Sequence, residues 1–158
     1  MNVLGRALLD LTLVLDFAMA GVGAVDPANR DAIPAAADFI LQHERVETVL
    51  VYGVVGGRID GSLRTNNSRL DCSHFLHSAF GADESGRPYG GGRWRKGGFQ
   101  IPLHTLGPIG NDVAVWAAVQ RIVGEGLSRA LPAMEHCQMP GGPPLPGAPG
   151  QNETSGSK

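Results

Sequence analysis

Two stretches decide the fold: Thr48-Val49-Leu50-Val51-Tyr52-Gly53-Val54-Val55 and, after Gly56-Gly57, Arg58-Ile59-Asp60-Gly61-Ser62-Leu63-Arg64-Thr65. The first is an almost unbroken run of apolar, largely β-branched side chains, the pattern of a strand buried on both faces. The glycine pair is a turn signal. The second stretch alternates roughly between apolar and polar residues, as a strand with one polar face does. Together they predict an antiparallel hairpin from Val46 to Thr65.

Working towards the C-terminus, Asn66-Asn67-Ser68 breaks the strand. Asp71 suits the N-cap of a helix from Cys72 to Phe80, with Gly81 as its stop. Phe75, Leu76, Ala79 and Phe80 form its packed face. Residues Ala82 to Arg95 read as a long glycine-rich loop. Gly98 to Leu103 read as a third strand, placed near a sheet edge by Pro102. Asp112 is expected to cap a last helix reaching about Leu131, with Val113, Trp116, Val119, Ile122 and Val123 inward. Residues 136–158 are rich in proline, glycine and serine and read as a disordered tail.

Towards the N-terminus, Pro34 suits the first turn of a helix from Pro34 to Glu44. Before it, Leu4, Leu8, Leu11, Leu15 and Ala18 recur at spacings of three and four, which predicts one helix from Val3 to Met19 ended by Gly21-Val22-Gly23. Its apolar face needs a partner surface. The expected organisation is therefore residues 1–24 as a linker-like helix, 25–135 as a ligand-binding α/β domain and 136–158 as tail. The fold class is α/β, a small mixed β-sheet with flanking helices.

Composition narrows the function. A 158-residue chain with 42% hydrophobic residues can bury a core without staples. A net charge of -2 excludes a nucleic-acid binder that works by overall basicity, so any anion site must be local. Cys72 and Cys137 form no CxxC pair and read as reduced thiols. The apolar run Leu8 to Gly21 is interrupted by Asp10 and Asp16 and is shorter than the roughly 20 residues of a membrane span. Ala18-Met19-Ala20 has the look of a signal-cleavage tripeptide, but the acidic residues oppose that reading. A buried helix of a cytoplasmic protein, with no membrane partner, is expected.

Three stretches carry candidate chemistry. In Tyr89-Gly90-Gly91-Gly92-Arg93-Trp94-Arg95-Lys96-Gly97-Gly98, glycines let backbone approach a ligand and its N–H groups form an anion nest. Arg93, Arg95 and Lys96 add charge there, and Trp94 can stack a base or pack inward. The plainer reading is a solvated basic loop. Ser62 and Arg64 are two apart and share a strand face, a hydroxyl and a guanidinium suited to phosphate or carboxylate. The plainer reading is an exposed strand with an incidental arginine. His74 and His77 stand at i and i+3 on one helix, where a shared metal is conceivable but exposed or core-edge histidines are the simpler reading. No Walker loop, Rossmann fingerprint, G-x-S-x-G or H-E-x-x-H occurs.

Ser62-Leu63-Arg64-Thr65, the helix ending in Ala79-Phe80-Gly81, Gly90-Gly91-Gly92-Arg93 and Gly97-Gly98-Phe99, in that order, resemble the C-terminal DHH-associated domain of DHH-family phosphoesterases. The likeness is to the nanoRNase and oligoribonuclease branch and covers roughly Ile33 to Leu103. It implies a substrate-binding domain that presents phosphate to a separate N-terminal domain holding two Mn²⁺ or Mg²⁺. It implies that Ser62, Arg64 and Thr65 meet ligand phosphate or sugar, and that Gly90, Gly91 and Gly92 cradle it. Arg93 stands where the family has histidine, which favours binding over proton transfer. No Asp-His-His run occurs in the 158 residues, so no cofactor is expected on this chain and no turnover by it alone. The expected function is binding of short single-stranded RNA or DNA, or of a nucleotide. The alternatives are one part of a metal-dependent phosphoesterase completed by a DHH domain, and a domain that homodimerises through its N-terminal helix.

Overall fold

The computed structural model describes residues 2–106 and 111–136. The expected hairpin lies at the centre of its sheet. β3 (Thr48–Val55) and β4 (Arg58–Thr65) pair antiparallel, Val55 opposite Arg58 and Thr48 opposite Thr65. Gly56 and Gly57 take φ of 53° and 75°. Two positive values make the tight turn whose twist suits a hairpin.

β2 (Phe17–Val25) runs parallel to β3 on the hairpin's other side, with α2 (Ala32–Ile40) as the crossover. The three-residue β1 (Thr12–Val14) adds an antiparallel edge to β2. Beyond β4 come β6 (Lys96–Pro102) and then β5 (Gly90–Arg93), both antiparallel. The sheet order is β1-β2-β3-β4-β6-β5. The remaining helices are α1 (Val3–Asp10), α3 (Cys72–Phe80) and α4 (Asp112–His136).

The sheet divides two cores. On one face α1 and α2 bury Val3, Ala7, Ile33 and Ile40 against Ala18, Val22, Val49 and Val51. On the other, α3 and α4 bury Phe75, Leu76, Val119 and Val123 against Leu50, Ile59, Leu63 and Phe99. α2 lies over β3 and β4, and the same face of β6 and β5 stays open beside it.

The N-terminal region corrects the sequence reading. The helix predicted over Val3 to Met19 stops at Asp10, and Phe17 onwards is strand. Ala18-Met19-Ala20 is therefore part of the sheet. The leucine stripe is not the packed face: Val3 and Ala7 are buried, whereas Leu8, Leu11 and Leu15 are 47%, 37% and 84% exposed. Phe17–Val25 is a strand buried on both sides, whose alanines and glycines give no period of two. Because β1 is so short, β2 beyond Met19 has no neighbouring strand on that side. α1 supplies the partners instead: Asp10 accepts a hydrogen bond from the Gly21 N–H, 2.7 Å, and Arg6 donates to the Ala24 carbonyl, 2.7 Å.

Smaller corrections follow the same logic. α2 ends at Ile40 rather than Glu44, because the chain must turn to bring Val46 into the core and Thr48 into β3. The end of the predicted glycine loop is strand β5. β6 is internal to the sheet, yet β5 pairs it only from Lys96 to Phe99, so Pro102 sits where no β5 partner needs its missing N–H. The cap of α4 is Asn111, whose side chain accepts from the Ala114 N–H at 2.9 Å, and Val113 points outward, 82% exposed. The α3 reading holds throughout: Asp71 accepts from the His74 N–H at 3.0 Å, and Gly81 takes φ 65°. Cys72 is buried and free, while Cys137 and the predicted tail from 137 onward lie outside the described residues. Among the described residues, no helix is long and apolar enough to cross a membrane.

Candidate functional site

Strand parity builds the site. Directly opposed residues of an antiparallel ladder share a face. Asp60 faces Gln100, Ser62 faces Gly98 and Arg64 faces Lys96 across β4 and β6. Gly98 then faces Gly91, and Lys96 faces Arg93, across β6 and β5. These residues occupy the α2 face of the sheet, those of β4 at the margin of the helix and those of β6 and β5 where that face stays open. There a cleft of about 420 Å³ opens between that face and the first turn of α2, bordered by Arg30, Asp60, Ser62, Arg64, Tyr89 and Gln100. Asp31 and Pro34 line it too, so the positive end of the α2 dipole borders the cleft.

Ser62 is 5% exposed, lines this cleft, and its hydroxyl has no hydrogen-bond partner among the described residues. The residue is buried, but its hydroxyl oxygen keeps access to the cleft and is not among the fully buried unpartnered atoms of the described residues. Arg64 is held firmly beside it. Its Nε donates to Asp38 Oδ1 at 2.7 Å, and its Nη1 donates to the carbonyls of Leu63, 3.0 Å, and Gly97, 3.4 Å. The side chain is 13% exposed, and Nη2 has no partner among the described residues. The guanidinium is thus oriented in advance with one nitrogen to spare, which reduces the entropy lost on gripping an oxyanion.

The remaining predicted residues go elsewhere. Thr65 is 1% exposed and structural: its hydroxyl lies 2.8 Å from the Thr48 hydroxyl and 3.2 Å from the Glu47 carbonyl. The three glycines divide by face. A Cβ on Gly92 would lie 2.5 Å from the Lys96 carbonyl oxygen and 3.0 Å from Cys72 Cβ, and one on Gly90 would lie 3.0 Å from Leu76 Cβ. A Cβ on Gly97 would lie 2.8 Å from Leu76 Cδ1. These three let α3 sit close on the sheet. A Cβ on Gly91 would meet nothing within 4 Å, and one on Gly98 only the Gly61 carbonyl at 3.1 Å. Gly91 and Gly98 leave bare backbone on the open face.

Gly92 and Arg93 line a second cavity of about 460 Å³ near the start of α3, with Ser68, Asp71, Cys72 and Trp94. Burial pushes the Cys72 thiol up, reinforced by the Asp71 charge and opposed by Arg64, so it stays protonated at neutral pH. Trp94 is 71% exposed, with the Arg95 guanidinium 4.5 Å above its ring. His74 and His77 are exposed. Among the described residues, no three His, Cys, Asp or Glu side chains gather to hold a metal ion, so these residues do not fit the Mn²⁺ or Mg²⁺ pair of the resemblance.

Sequence reasoning missed Asp60, Gln100 and Arg30 in the cleft, and Asp38 behind Arg64. Asp60 was within reach: the parity that joins Ser62 to Arg64 runs back one step to Asp60 and on to Arg58.

No family model matches the chain. The fold is a mixed α/β sheet with flanking helices, similar to the DHH-associated domain that the motifs suggested. An exopolyphosphatase-related protein from Bacteroides fragilis shares it, with a TM-score of 0.54 at 13% identity, over 84% of this chain and 35% of that one. A pGpG-specific phosphodiesterase from Vibrio cholerae aligns at a TM-score of 0.43 and 10% identity, over 78% of this chain and 38% of that one. In sequence, an uncharacterised protein of Methanocaldococcus jannaschii is 35% identical over 124 residues, 78% of this chain and 24% of that protein. The chain thus spans about a quarter of the length of the curated relative it matches.

Proposed function

We propose that this chain is a ligand-binding domain of phosphoesterase type that takes the phosphate end of a short single-stranded nucleic acid, or a nucleotide, into the cleft on β4 and β6. The observation that carries the reading is a pre-oriented Arg64 with a free Nη2 beside the Ser62 hydroxyl, which opens to the cleft and has no partner among the described residues. Phosphate oxygens accept from both. Gly91 and Gly98 offer flat backbone for the rest of the ligand, and Arg93 and Lys96 extend positive charge towards the β5–β6 turn. Any hydrolytic Mn²⁺ or Mg²⁺ would belong to a DHH domain of a longer protein.

Fluorescence polarisation of a labelled, 5′-phosphorylated short RNA tests this. Arg64→Ala is expected to weaken binding about 10- to 100-fold, the loss of hydrogen bonds to a charged group. Parent-like affinity in Arg64→Ala would remove the cleft from consideration.

A second reading rests on the surface around β1. Leu8, Leu9, Val14, Leu15 and Phe39 are exposed by 47%, 76%, 58%, 84% and 51%, and an apolar groove of about 440 Å³ is lined by Leu8, Leu11, Leu13 and Phe39. A patch of this kind marks an interface. In this reading the chain is one part of a metal-dependent phosphoesterase and the DHH domain covers the patch. A stable dimer of this chain that Leu13→Lys dissociates would assign the patch to homodimerisation instead.

A further inference from the structure

We infer that the cleft is polarised, with Asp60 as a specificity-determining acceptor that recognises a neutral hydrogen-bond donor of the ligand. The cleft therefore takes a nucleoside phosphate and discriminates against an inorganic polyphosphate chain. This rests on the phosphate reading of Ser62 and Arg64.

Asp60 lies on the same face of β4 as Ser62 and Arg64, two and four residues before them. At roughly 3.4 Å per residue, its Cα stands about 7 Å from that of Ser62 and about 14 Å from that of Arg64. Its side chain is 14% exposed and fixed from two sides: Oδ2 is ion-paired with Arg30 Nε at 2.7 Å and accepts a hydrogen bond from Gln100 Nε2 at 3.4 Å. Gln100 is held in turn, its Oε1 accepting from Arg58 Nη1 at 3.2 Å. The other oxygen, Oδ1, has no partner among the described residues and belongs to a side chain lining the cleft.

The two ends of the cleft thus ask for opposite things. At the Arg64 end, donors await an oxyanion. At the Asp60 end, an ion-paired carboxylate oxygen can only accept. A polyphosphate reaching from Arg64 towards Asp60 brings a second negative charge against that oxygen, without a proton to offer. A nucleoside phosphate brings sugar hydroxyls or a base amino group, and its ring can lie over the bare backbone of Gly98, opposite Ser62. Specificity then comes from a repulsive element as well as an attractive one. A site that hydrogen-bonds a ligand donor rejects analogues that lack it, because its own polar group is left unpaired.

The experiment is competition binding by the full chain with four probes: AMP, 2′,3′-dideoxy-AMP, purine riboside monophosphate and inorganic tripolyphosphate. The parent is expected to bind AMP about tenfold more tightly than the analogue that lacks the recognised donor. Loss on the dideoxy probe assigns the sugar hydroxyls, and loss on the purine probe the amino group. Tripolyphosphate should be the weakest. Asp60→Ala should erase the donor preference while retaining phosphate binding, and Arg64→Ala should weaken all four probes alike. Asp60→Leu, of similar size and without an acceptor, serves if the alanine variant does not fold. Donor preference retained in both Asp60 variants, or a parent that binds all three nucleotides equally, overturns the assignment to Asp60. A parent that binds none of the probes overturns the phosphate reading, and this inference with it.

Discussion

The two faces of the glycine hairpin β5–β6 use the same residue for different ends. On the face turned to α3, Gly90, Gly92 and Gly97 are there because a side chain would strike Leu76, Cys72 or the backbone of the neighbouring strand. On the open face, Gly91 has empty space before it, and Gly98 meets only a strand carbonyl. Packing requires the first group and leaves the second to be explained by what approaches from outside. A glycine motif is therefore not one signal. Its strand parity separates the part that serves the fold from the part available to a ligand.

The largest effect expected from this contrast is on stability. Gly92→Ala should destabilise the protein by about 2–3 kcal/mol, because the methyl group meets backbone that cannot yield cheaply. Gly91→Ala should stay within about 0.5 kcal/mol of the parent, as substitutions on open surface do. Urea unfolding of the two variants compares them directly, and equal losses would collapse the distinction.

A second expectation concerns the covered side, where burial, helped by the Asp10 charge, pushes the Tyr52 phenol up from 10.0 to about 12. Below pH 10 the phenol is neutral in both states and stability does not depend on it. Above pH 10 the unfolded chain loses this proton while the fold keeps it. Stability therefore falls between about pH 10 and about pH 12, by roughly 1.4 kcal/mol per unit. Tyr52→Phe should flatten that fall in denaturation curves measured across the same range. An unchanged slope would mean that the phenol is open to water.

The smallest effect is expected at Trp94. Trp94→Ala should change stability by no more than about 0.5 kcal/mol and nucleotide affinity by less than about twofold, since it lies at the second cavity and not in the cleft. A large loss in the polarisation assay would move the binding site to the α3 end of the hairpin.

How much of this was legible beforehand follows from the range of the forces involved. The β3–β4 hairpin and α3 were readable because their signals are local: a glycine pair, a run of β-branched residues, Asp71 and Gly81 at the two ends of one helix. β2 was not, because a strand buried on both faces and built from Phe, Ala, Met, Gly and Val has no alternation to betray it. β5 was not, because Gly-Gly-Gly has little strand preference of its own and is held in place by α3 and β6. Within the site, Ser62 and Arg64 followed from parity alone. Asp38, which orients Arg64, and Arg30, which holds Asp60, come from the crossover before β3. Only the tertiary fold brings them to β4.

The edge of β2 carries a further consequence. An uncovered strand is a template on which any other extended chain can add itself. Where β1 runs out, Asp10 and Arg6 already occupy the Gly21 N–H and the Ala24 carbonyl, so an incoming strand finds its first hydrogen bonds taken. Two charged side chains that interrupt an otherwise apolar N-terminal sequence thus act as a guard against polymerisation, keeping the sheet finite on that side.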